Sequence, residues 1–126
     1  MKITVEVDLA KCFHVKLEQH LAVKLVESII SIHGITKDLE EAKRIIENFD
    51  EYYGIAKRRY ESYLVVPKDI AESIRGRTVV QKIKLIKNGD NKIVEFVFDK
   101  KVPKELIVKA LNEIGYSEVL FEYKEF

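Results

Sequence analysis

The feature that most constrains the fold is a pair of alternating segments, Thr78 to Lys87 and Asn91 to Asp99, joined across Asn88-Gly89. Asn-Gly between two such runs is a strong β-hairpin signal, because both central residues of the tight turn take positive φ. A two-residue turn at Asn88-Gly89 pairs Ile83 with Val94, Val79 with Phe98 and Lys82 with Glu95. A four-residue loop pairs Lys84 with Glu95 instead. Either way Ile83, Val94, Phe96 and Phe98 share one face, since side chains alternate along a strand. An antiparallel sheet with one buried face is the minimum the chain must build.

The remaining segments supply partners for that face. Lys2 to Asp8 alternates Ile3, Val5 and Val7 against Lys2, Thr4, Glu6 and Asp8, a strand with one wet side. From about Phe13 to His33 the spacing predicts a helix, with Leu17, Leu21, Leu25 and Ile32 on one stripe and an unusually broad apolar arc. Such a helix needs cover on two sides, from a sheet and a neighbouring helix or from a second subunit. Gly34 ends it. A second, long helix is expected from about Asp38 to Ser62, started by an Asp38–Glu41 capping box or by Thr36. Gly54 is its weak point. Tyr63 to Val66 either finishes this helix or forms a short strand. Pro67 then starts a short helix that Gly76 stops, Val102-Pro103 starts another over Leu106 to Ile114, and Tyr116 to Tyr123 closes as a strand.

With the helical insert folded into one position, the order is β-α-β-β-α-β, which is ferredoxin-like. The expected fold is α+β: an antiparallel sheet with helices on one face and an enlarged helical hairpin inserted after the first strand. At 126 residues the chain fits a single domain, 1–126, and can bury a core without disulfides or metal. One cysteine, Cys12, suggests a reducing compartment, and with no signal peptide or membrane-length apolar run the expected location is the cytoplasm. Low Gln with many Lys, Glu and Ile is weighted like a thermophile's composition.

Charge is balanced overall, 22 basic against 21 acidic residues, but unevenly placed. Residues 1–54 carry a net of −3, residues 55–92 a net of +6 and residues 93–126 a net of −2. The basic middle segment is an argument about partners. It begins in Phe49 to Leu64, where four of the six tyrosines surround Lys57-Arg58-Arg59. Rings interleaved with cations can stack on bases and neutralise phosphates. In one unbroken helix, however, Tyr53, Tyr60 and Tyr63 follow Phe49 to the core face while Arg58 points the opposite way. A stacking platform is therefore expected only if the helix breaks at Gly54. Arg75, Arg77, Lys82, Lys84 and Lys87 extend the basic segment into the hairpin.

Other chemistry finds little support. Lys92 to Asp99 lacks the glycine and first aromatic of an RNP strand, so this is not an RRM, and neither a KH GXXG nor a Walker A motif occurs. Cys12, His14 and His20 match no closed zinc site, and a Cys12–His14 catalytic pair has no supporting motif. No enzyme signature, cofactor or metal is expected. Two functional expectations remain. The first is a nucleic-acid-binding or ribonucleoprotein accessory protein, with Lys57, Arg58, Arg59, Arg75, Arg77, Lys82, Lys84 and Lys87 contacting DNA or RNA phosphates without catalysis. The second is a homo-dimeric or otherwise protein-binding module built on the apolar first helix and the helical hairpin.

Overall fold

The computed structural model describes residues 1–124. The chain runs β1 (Lys2–Val7), β2 (Phe13–Glu18), α1 (Gln19–His33), α2 (Lys37–Glu47), α3 (Phe49–Arg58), β3 (Leu64–Val65), α4 (Ile70–Ile74), β4 (Val80–Asn88), β5 (Asn91–Phe98), α5 (Lys104–Glu113) and β6 (Glu118–Tyr123). The six strands form one mixed sheet in the order β3-β4-β5-β2-β1-β6, antiparallel throughout except for the parallel β1–β6 pair. Val5, Val15, Leu17, Ile83, Val94, Phe96 and Phe98 are buried with Leu25, Ile29, Leu39, Ile46, Ile107 and Leu111 from the helices in one core. The class is α+β, as the periodicities predict.

The ferredoxin-like order is not what the sheet shows. Two strands, not one, precede the first helix, and β1 lies between β2 and β6. The difference originates in Phe13 to Glu18, expected as the start of a helix. Phe13, Val15 and Leu17 alternate with His14, Lys16 and Glu18, so the segment also satisfies the strand period. A tight turn decides between the two. Asp8 Oδ1 accepts from the Cys12 amide at 3.0 Å, the Lys11 amide donates to the Asp8 carbonyl, and Lys11 takes φ 67°. The chain reverses there and β2 pairs with β1 and β5 on either side.

Two further expectations change for local reasons. The long helix breaks, but at Asn48 rather than Gly54. The Asn48 side-chain amide donates to the Arg44 carbonyl at 2.8 Å and its backbone leaves the helical region (φ −107°, ψ 45°), the usual competition of a short polar side chain with the helix. In the β4–β5 hairpin the register is Lys84↔Glu95, the pairing expected of the longer loop, but Asn88↔Asn91 also pair, so the turn residues are Gly89-Asp90, with Gly89 at φ 63°. A bulge between Val80 and Lys82 lets both Val79 and Val80 be buried. The breadth of the apolar arc on α1 is accounted for inside the chain. α1 packs between α2 and α5 over the sheet, and Ser28 at its centre donates to the Ala110 carbonyl and the Glu113 carboxylate. Its inward residues are thus covered without a second subunit.

Candidate nucleic-acid interface

Leu64↔Ile83 and Val65↔Lys82 pair β3 antiparallel to β4, which brings the end of α3 beside the Lys84–Lys87 half of β4. Tyr53 is the first meeting point. Its ring stacks on Phe49 with centroids 5.8 Å apart, and it carries Lys57 Nζ at 5.4 Å and Lys87 Nζ at 5.7 Å. Tyr63 is the second, with Lys82 Nζ at 4.7 Å and Lys84 Nζ at 5.6 Å from its ring centre. Between them in sequence, Arg58, Arg59 and Tyr60 are exposed.

Tyr60 departs from the expectation that it joins the core face. α3 stops at Arg58, Tyr60 adopts the left-handed conformation at φ 54°, and 96% of its surface is exposed. The Glu61 amide returns to the Ala56 carbonyl, closing the helix end around it. Tyr53 remains partly packed against the core. Tyr63 leaves it for the opposite, helix-free face of the sheet.

On that face Tyr63 reaches a network that the sequence pattern does not single out. Its hydroxyl donates to Glu95 Oε2 at 2.6 Å, and Glu95 is only 6% exposed although it points away from the helices. His14 Nδ1 lies 3.2 Å from the same oxygen, and His14 Nε2 lies 2.8 Å from Asp8 Oδ2. Lys16 Nζ is 3.7 Å from Glu95 Oε1, and the register sets Glu95 between Lys16 and Lys84 on the neighbouring strands. Burial alone would push the Glu95 carboxyl up, but the Tyr63 hydroxyl, His14 and Lys16 outweigh it and hold it below the usual range. Burial and the bond to Glu95 push the Tyr63 phenol up to about 12. A carboxylate this well satisfied is a weak base and a phenol this weakly acidic is a poor nucleophile. The network positions Tyr63, and with it Lys82 and Lys84.

These shifts carry a sign for stability. Glu95 titrates lower folded than unfolded, so its contribution is present above the ordinary value of 4.5 and is lost as pH falls below it. Tyr63 titrates higher folded than unfolded, so its contribution is present below pH 10.0 and is lost as pH rises towards about 12. Urea unfolding of the wild type is expected to lose stability across that alkaline window, and Tyr63→Phe to remove this component of the loss. An identical alkaline profile for the two proteins would contradict the bond.

The remaining predicted residues are not gathered here. Arg75 and Arg77 lie in the connection between α4 and β4, before the first strand residue and five or more positions ahead of Lys82. Arg77 instead donates to the His33 carbonyl, at the last residue of α1, at 3.2 Å. Cys12 is buried in the β1–β2 turn, where burial and nearby Asp8 raise its thiol, and His20 sits on the surface 3.7 Å from Glu18. Among the described residues Lys57, Arg58, Arg59, Lys82 and Lys84 have no carboxylate ion-pair partner, whereas Lys87 shares Asp50 with Lys92. No helix among the described residues is long and apolar enough to cross a membrane.

The fold and this edge together define an α+β protein with one six-stranded mixed sheet and a basic, tyrosine-bearing margin. No protein-family model, curated protein or solved structure matches the chain.

Proposed function

We propose that the protein binds nucleic acid, as an accessory rather than catalytic component, through the edge formed by the end of α3 and β4. Lys57, Arg58, Arg59, Lys82, Lys84 and Lys87 supply the phosphate contacts, and Arg75 and Arg77 lie outside the interface. The carrying observation is the convergence of cations on tyrosine. Lys57 and Lys87 meet on Tyr53, Lys82 and Lys84 meet on Tyr63, and Tyr60 stands exposed beside Arg58 and Arg59. Ammonium groups held over rings keep their charge available at fixed positions. An exposed phenol ring with no packing role is a surface on which an unpaired base can stack.

The test is binding of labelled single-stranded and duplex DNA and RNA across a salt series. Arg58→Glu and Lys84→Glu are expected to weaken binding and to flatten the slope of log K against log salt by about 0.7 per lost contact on a single strand. Arg75→Glu, in the connection ahead of β4, serves as the control outside the proposed edge. Tyr60→Ala is expected to cost about 1–3 kcal/mol on single strands and to leave duplex binding unchanged. Absence of binding at low salt would refute the proposal, and equal losses from Arg75→Glu and Arg58→Glu would refute the assigned edge.

A further inference from the structure

The two margins of the sheet are unlike. β3 is two residues long and is followed by Pro67, a margin too short to recruit another strand. β6 is six residues long, pairs with β1 continuously over Lys2↔Glu118 to Val7↔Tyr123, and contains neither proline nor bulge. Its apolar side chains are partly bare, with Leu120 40% and Tyr123 73% exposed. Among the described residues nothing pairs with its outer side.

The backbone directions along β6 follow from its bonds to β1. The Glu118 amide donates to the Met1 carbonyl and the Lys124 amide to the Val7 carbonyl. In a parallel ladder alternate residues turn their N–H and C=O to the same neighbour. The even-numbered residues therefore serve β1, and Val119, Phe121 and Tyr123 present their backbone groups outward.

We infer that β6 pairs antiparallel with β6 of a second copy of this chain, about a two-fold axis at Phe121. In this register Phe121 stands opposite Phe121 and Val119 opposite Tyr123, so every outward N–H and C=O of the three residues finds a partner. On the other face Glu118 stands opposite Lys124. A slip of two residues would place Glu118 opposite Glu122 and leave Tyr123 outside the central pairs. Like charges directly opposed disfavour that alternative. The contact is isologous, so it closes at two copies, and it joins two six-stranded sheets into one.

The experiment is light-scattering mass across a concentration series, with three variants. The wild type is expected to approach about 29 kDa, twice the 14.7 kDa chain. Val119→Pro removes an outward N–H that β1 does not use, a position where an edge strand tolerates proline, so it is expected to abolish the dimer while circular dichroism stays unchanged. Under mild oxidation Phe121→Cys is expected to form a covalent dimer, because directly paired Cα atoms lie about 5.5 Å apart. Leu120→Cys, offset by two residues from its own copy at about 8 Å, is not. The wild type controls for Cys12. A monomer at every concentration would overturn the inference, as would a dimer that survives Val119→Pro in folded protein. Cross-linking through position 120 rather than 121 would overturn the register. Should Val119→Pro fail to fold, the cysteine pair decides.

Discussion

Asp38→Ala is expected to lower the unfolding free energy by about 2–6 kcal/mol, since an orphaned buried donor costs about 1–3 kcal/mol and two are created here. Asp38 is fully buried, and its Oδ2 accepts from the Val79 amide at 2.9 Å and the Val80 amide at 2.8 Å. Those amides open β4 just before its bulge, where the ladder to β5 is interrupted. The carboxylate takes the place of a strand. It also ties the start of α2 to the sheet, so its loss loosens two layers at once. Asp38→Asn keeps an acceptor oxygen and is expected to cost less than alanine. Urea denaturation of the three proteins measures the series, and an alanine cost below about 1 kcal/mol would show that water satisfies the two amides.

Phe96→Ala should cost about 3–5 kcal/mol, the range for truncating a fully buried aromatic side chain. Phe96 is inaccessible to solvent, stacks on Phe98 with centroids 5.4 Å apart, and stands between Val15 of β2 and Ile83 of β4 in the ladder. Strands flank it on both sides and helices cover it, so little can collapse into the space left. Phe96→Leu retains much of the volume and should lose clearly less. Equal melting temperatures for the alanine and leucine variants would contradict the close packing.

The same two residues separate what was legible in the chain from what was not. Phe96 could be placed from spacing alone, because Val94, Phe96 and Phe98 recur at the strand period and any allowed register keeps them on one face. Asp38 could not. Three residues ahead of Glu41, it looks like a helix-start residue, whose side chain would serve its own helix. Instead α2 begins after Thr36 with no side-chain cap bond, and Asp38 turns to amides 41 and 42 positions away. Local pattern carries no record of such a partner.

The candidate site divides similarly. The basic residues and tyrosines were visible as composition, and Arg58 and Arg59 lie exposed beside Tyr60 as sequence neighbours. That Lys57 and Lys87 share one ring depends on the pairing of β3 with β4. The Asp8–His14–Glu95–Tyr63 network joins four separate segments. Its one trace in the sequence is Glu95, an acid within the run Ile93 to Phe98, which the hairpin spacing assigned only to Lys82 or Lys84.

By itself the sequence determined the α+β class, the β4–β5 hairpin and its inward face, β1, α5 and the closing strand. In each, a single period holds over enough residues to exclude the other. The tertiary structure decided the rest. Phe13 to Glu18 satisfies both periods and became a strand because a turn at Asp8 to Lys11 delivered it to two waiting neighbours. The strand order, and with it the margin left open at β6, follows from which backbone ladders close around one core. That competition is among whole arrangements, and no stretch of residues encodes its outcome alone.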